Sequence, residues 1–201
     1  MFKMGGLKSK LHVIYWTFLI GSASLAAIPF VTAGFYSKDN LLWLAFAGEK
    51  GNLWFFMAAL IGAFITSVYT FRMVFVTFFG EPKTHVGHGT GKSINIPLIL
   101  LAVLSLIGGF IELPHTLGHL ELFSDFLKPV LPSVALKHDA SLSTEWIIQT
   151  ITMVLSLSGV YVAYYFYIRK PALSAQIKSS IRGLHHIWFT GWGFDAFYNT
   201  V

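Results

Sequence analysis

The sequence predicts an all-α integral membrane protein with four transmembrane helices, the first discontinuous, followed by an interfacial amphipathic helix. Three observations carry that prediction. The 201 residues are 55% hydrophobic and only 11% charged, with a mean hydropathy of +0.65, whereas soluble domains carry about 25% charged residues. Three stretches, 52–79, 96–113 and 146–168, are each apolar over roughly the 20 residues that a spanning helix needs. A fourth stretch, 12–47, holds Pro29 and Gly34 near its middle and has Lys38 and Asp39 as its only formal charges.

The stretch 12–47 is long for one crossing and short for two, which need about 40 residues and a turn. The distribution of basic residues arbitrates. A single broken crossing places Lys3, Lys8, Lys10, Lys83, Lys92, Arg169, Lys170, Lys178 and Arg182 on one side, nine against the three of Lys50, Lys128 and Lys137. Two crossings would split the same twelve six to six and orient nothing. The positive-inside rule therefore favours the single broken crossing, with the N-terminus in the cytoplasm. The loop 112–145, with Glu112, Glu121, Asp125, Asp139 and Glu145, then suits an outer face.

The remaining elements follow in order. Residues 52–79 form the second crossing, 96–113 the third and 146–168 the fourth; together with the broken helix they make a transmembrane part over 1–168. From 169 to 201 the pattern changes. Leu173, Ile177, Ile181, Leu184 and Trp188 recur at helical spacing, with Lys178, Arg182 and His185 elsewhere on the wheel. A basic amphipathic helix of this kind lies in the membrane interface.

Charges at bilayer depth cost roughly 2.5–3.5 kcal/mol each on insertion scales and mark function where they persist. A lysine can take up and release a proton in such a setting, whereas an arginine stays charged. Pro29 and Gly34 interrupt the helix beside Lys38, and loose backbone at that depth is tolerated only against protein or a water-filled cavity. Lys38 in a broken helix thus reads as part of an ion or proton path, weighed against a lysine that snorkels to the interface and pairs with Asp39. Asp39 lies about 100° further round the helix and either contacts another helix or tunes the lysine. On the second crossing Thr66, Tyr69, Thr70, Met73 and Thr77 share a face. Such a seam lines a hydrated path or, more commonly, glues helices together. Arg72 marks the interface or pairs with a carboxylate.

Other chemistry is poorly represented. There are no cysteines, which excludes disulfides, thiolate metal sites and iron–sulfur clusters in this chain. The pairs His85 and His88, and His115 and His119 near Glu112 and Glu121, lack a recognisable ligand pattern, so no metal is expected. No phosphate loop, nucleophile elbow or dinucleotide fingerprint occurs, and no cleavable signal follows the basic start. The net charge of +5 is spread over membrane flanks, which argues for topology and against nucleic acid.

Three segments, SLAAIPFVTAGFYSKDNLL (24–42), GAFITSVYTFRMVFVTFFGE (62–81) and GWGFDAFYNTV (191–201), resemble the C-terminal part of the subunit L family of NADH–quinone oxidoreductase, the antiporter-like membrane subunits of respiratory complex I equivalent to mitochondrial chain 5. The resemblance implies that Pro29 and Gly34 break the family's discontinuous twelfth helix and that Lys38 serves the proton path toward the outer face. Asp39 is its family neighbour, and Thr66, Tyr69 and Thr70, read from the seam, are candidates for the same path. It implies a proton-translocating role without redox centres in this chain, with NADH, flavin, iron–sulfur clusters and quinone in other subunits. The implied partners are complex I membrane subunits, notably the neighbouring antiporter-like ones, and the lipid bilayer, in a bacterial inner membrane ahead of an organelle inner membrane. Measured against the family, the chain lacks eleven preceding helices and stops before most of the lateral helix, so a fragment is expected. Two alternatives stand beside this one: the related sodium/proton antiporter component of Mrp-type complexes, and a structural remnant that transports nothing.

Overall fold

The computed structural model describes residues 4–83, 91–118, 120–131, 135–137, 141–180, 182–194 and 198. Helix α1 (His12–Leu25) and helix α2 (Ala33–Ala47) are separated by an irregular stretch, and together they form the broken crossing. Helix α3 (Leu53–Phe78) returns, and α4 (Lys92–Ile107), extended by a 3-10 turn to Ile111, crosses again. A short antiparallel ribbon, β1 (Glu112–Leu113) with β2 (Leu120–Glu121), and the six-residue α5 (Leu122–Leu127) occupy the connection. Helix α6 (Leu142–Tyr164) makes the last crossing and runs into a π-helical turn, Tyr165–Arg169. Two short helices, α7 (Pro171–Ser180) and α8 (Arg182–Phe189), follow in the segment expected to be amphipathic.

Three of these helices are long and apolar enough to span a bilayer: Leu53–Phe78, Lys92–Ile111 and Leu142–Arg169. Neither α1 (14 residues) nor α2 (15 residues) spans alone. At about 1.5 Å per residue, the two in series reach across.

The helix starts differ from the sequence reading for local reasons. Ser141 caps α6 by accepting from the Thr144 amide at 3.3 Å, so the helix begins before Trp146 and takes Glu145 into its first turn. In α4 the first turn runs from Lys92 and Pro97 lies inside the helix. At the other end, glycines 108 and 109 tighten the helix into a 3-10 turn. Asn52 caps α3 through the Trp54 amide.

Association of helices in lipid relies on close packing, because lipid tails are as apolar as leucine side chains. The most extensive packing joins α3 to α6. Gly159 makes it possible: a Cβ there would stand 2.8 Å from Ser67 Cβ and 3.0 Å from the Phe64 carbonyl oxygen. Near the N-terminal side, Tyr15, Val74 and Phe78 form a buried cluster, with Tyr15 and Phe78 edge to face at 5.3 Å. At the opposite side Leu42, Trp43, Phe56 and Ile148 bring α2, α3 and α6 together. There the strand-like residues 135–137 strap the turn between α2 and α3: Lys137 Nζ donates to the carbonyls of Phe46 (2.9 Å) and Gly51 (2.7 Å). Much of α4 presents apolar side chains outward, Leu100, Leu101 and Leu104 among them.

Candidate functional site

The break between α1 and α2 is built from residues poorly suited to a helix. Pro29 has no N–H to give, and Ala27 and Phe30 sit in the left-handed region at φ 59° and 62°. Such conformations cost about 1–3 kcal/mol each and persist only where the surroundings impose them. Here side chains impose them by taking the backbone groups that the break frees. The Lys38 ammonium donates to the Leu25 carbonyl (2.8 Å), the Ser67 hydroxyl of α3 to that of Ala26 (3.3 Å), and the Tyr36 hydroxyl to that of Phe30 (3.0 Å). Thr32 closes the turn onto Ile28 at 2.8 Å. Gly34 donates its amide to Ser24 Oγ at 3.1 Å and has no room for a side chain, since a Cβ would run into the Ser24 carbonyl. Lys38 thus lies across the C-terminal end of α1, where the helix dipole favours a cation.

Asp39 points the other way, into α6. It is 3% exposed, and its carboxylate accepts from Gln149 Nε2 at 2.7 Å. Gln149, 1% exposed, in turn accepts at Oε1 from the Thr116 hydroxyl at 3.2 Å. The Asp39 carboxylate, which can only accept, sets the amide's orientation with its NH2 toward the aspartate, and the Thr116 hydroxyl donates to the oxygen that remains. Lys38 and Asp39, adjacent in sequence, therefore serve opposite sides of the helix.

Two cavities lie beside the helix break. A larger one of about 850 Å³ opens toward the 112–137 connection and is walled by Gly34, Asp39, Glu112, Glu121, Lys128 and Glu145, among others. A smaller one of about 290 Å³ lies toward the N-terminal side and includes Thr17, Ser22, Leu25, Thr70 and Ser105 in its wall. Leu25, whose carbonyl holds Lys38, is in the wall of the small cavity. On the rim of the larger one, Glu112 is held by the amide and hydroxyl of Ser124. Lys128 pairs with Asp125 at 2.6 Å and reaches Glu121 at 3.8 Å. The hydrogen bond and charge of Asp125 raise the Lys128 pKa above its ordinary value.

The seam on α3 is divided by the fold. Thr70 is fully buried, and its hydroxyl has no hydrogen-bond partner among the described residues. Thr66 turns back onto the Gly62 carbonyl at 2.7 Å, and Tyr69 is exposed on the outer surface of α3. Arg72 stacks its guanidinium over the Tyr167 ring at 5.6 Å. His85, His88 and His119 lie outside the described residues. Among the described residues, no three His, Cys, Asp or Glu side chains gather as a metal site.

A buried polar row on α6 went unread in the sequence: Glu145, Gln149, Thr152 and Ser156. Their spacing of four, three and four is one helical face, and it was visible in principle. Starting the span at Trp146 left Glu145 in the loop and hid the row's first member.

These features define a class: a helical membrane protein whose discontinuous helix carries a lysine that closes the helix break and an aspartate that lines a cavity. Residues 1–66 match the transmembrane family of NADH:quinone oxidoreductase and Mrp antiporter subunits. Over its whole length the chain matches a fragment of NADH-quinone oxidoreductase subunit L. It is 40% identical over 210 residues to that subunit from Pseudomonas aeruginosa and 37% identical over 204 residues to that from Escherichia coli, covering all of this chain in both cases. It is also 34% identical over 208 residues to NADH-ubiquinone oxidoreductase chain 5 of Phytophthora infestans, covering 98% of this chain. The chain spans 31%, 30% and 30% of the lengths of these three relatives.

Proposed function

We propose that this chain forms part of the proton-translocating membrane subunit of a NADH–quinone oxidoreductase, the part that passes protons from the membrane interior to the outer face. The observation that carries this reading is the division of labour at the helix break. Lys38 is anchored on the carbonyl of Leu25, a residue that lines the small cavity, while Asp39, the next residue, lines the large one. Under this reading a proton leaving Lys38 has to pass round the helix, through the break, to reach Asp39 on its other side. Thr70 supports the inner approach, since a buried hydroxyl that has no partner among the described residues is best satisfied by water at the edge of the small cavity it lines.

Under this proposal the N-terminal side faces the cytoplasm and the 112–137 connection faces outward, in a bacterial inner membrane. The chain carries no redox chemistry of its own; NADH, flavin, iron–sulfur clusters and quinone belong to other subunits, which supply the free energy. Moving one proton against 100 mV takes about 2.3 kcal/mol. The neighbouring antiporter-like subunits are the natural packing partners of the apolar outer faces. Translocase is the fitting description of its contribution.

The test is Lys38→Ala in the intact enzyme. The proton-to-electron ratio of membrane vesicles is expected to fall strongly, and an unchanged ratio overturns the proposal. The matched family also covers Mrp-type antiporters. Transport that requires sodium in the parent complex would assign the chain there instead.

A further inference from the structure

We propose that Glu145 is the proton's next station after Asp39, and that Gln149 is the positioning residue that aims Asp39 toward it. The inference rests on the proton-path reading above and extends it to the outer exit. Glu145 is 4% exposed in the first turn of α6 and lines the large cavity together with Asp39. Gln149 lies one turn deeper on the same face of α6, holding the Asp39 carboxylate at 2.7 Å while Thr116 holds Gln149 in place.

An amide cannot pass a net proton without tautomerising, so Gln149 serves geometry. Its NH2 occupies one oxygen of Asp39, Oδ2, and leaves the other for proton exchange with the cavity. The transfer is then simple in its balance. The Asp39 carboxyl gives up its proton to cavity water, the Glu145 carboxylate takes one from that water, and Glu145 later releases it toward the 112–137 connection.

The other charged groups around the cavity are less suited to this step. Glu112 is only half-buried, and Glu121 lies beside Lys128 on the rim, whereas Glu145 is 4% exposed. Lys137 is spent on the Phe46 and Gly51 carbonyls, and Lys38 is turned away onto Leu25. Glu145 alone among these carboxylates is both buried and on the helix that orients Asp39.

The experiment uses the intact enzyme in membrane vesicles, with the proton-to-electron ratio as readout and assembly of the enzyme checked for each variant. Glu145→Gln is expected to lower the ratio as far as Lys38→Ala does. Glu145→Asp, which keeps a carboxyl, is expected to restore most of it. Added formate, a small carboxylic acid that the cavity admits, should partly rescue Glu145→Gln, with wild-type vesicles given the same formate as the baseline. Gln149→Leu should lower the ratio and gain nothing from formate. A normal ratio in Glu145→Gln overturns the proposal. So does a deficit that neither Asp nor formate repairs, because that marks a structural role. If Lys38→Ala is deficient and Glu145→Gln is not, the exit station is wrong and the proton path stands; if both are normal, the path itself fails.

Discussion

Gly34 shows how a single residue sets the site. Its backbone passes so near the Ser24 carbonyl that any side chain would have to displace main-chain atoms, which cannot rotate away as a flexible side chain can. Gly34→Ala is therefore expected to cost about 1–3 kcal/mol. It should also loosen the hydrogen bond from the Gly34 amide to Ser24. A lower thermal inactivation midpoint of the assembled enzyme, with reduced pumping, is the expected result. An unchanged midpoint would mean that the break is softer than its geometry indicates. Lys38 works on the same scale: its ammonium satisfies a carbonyl that the break has orphaned, so the residue offered for proton transfer also closes the helix end. That double duty predicts that Lys38→Arg, which keeps a donor but cannot lose its proton, assembles better than Lys38→Ala and pumps no better. Arginine restoring the proton-to-electron ratio would contradict the role given to Lys38.

At the scale of elements, the pairing of α3 with α6 positions the Asp39 half of the site. Gly159 lets the two helices approach, and the approach brings Gln149 within reach of Asp39 on α2. Gly159→Ala should push the helices apart at Ser67 and Phe64, at a cost of about 1–3 kcal/mol. Gly62→Ala on α3, where a Cβ meets nothing within 4 Å, is the contrast. It should be neutral or slightly stabilising, because alanine is the better helix former. Comparing the inactivation midpoints of the two variants checks the packing; equal losses would refute it. The row Glu145, Gln149, Thr152 and Ser156 belongs to this scale too. Each residue read singly is an ordinary polar side chain near a helix end or within a span, and only the helical period joins them into a face.

For the whole molecule, the apolar surface is the governing feature. Trp54, Phe55, Leu100, Leu101 and Leu104 are exposed, and three helices are long enough to cross a bilayer. In water such a surface would aggregate, whereas in lipid it costs nothing. The chain is expected to stay in the membrane pellet through an alkaline carbonate wash and to leave it only with detergent. Release by the wash alone would contradict the membrane architecture.

Composition and period determined the membrane class, three apolar spans and the break in the first helix, because about 20 apolar residues and a mid-span proline have few other physical solutions. Lys38 and Asp39 stood out for a related reason: charges in an apolar run are costly enough to be informative wherever they occur. The sequence left open where each of the two points. Adjacent residues diverge by about 100° on a helix, and which neighbour each one meets depends on how α1, α3 and α6 pack around α2. Tertiary packing alone decided that Lys38 closes the end of α1, that Asp39 is held by a glutamine 110 residues away, and that Glu145 belongs to the same cavity. Hydrogen bonds of that reach leave no local periodicity to read; they exist only once close helix packing has brought their partners together.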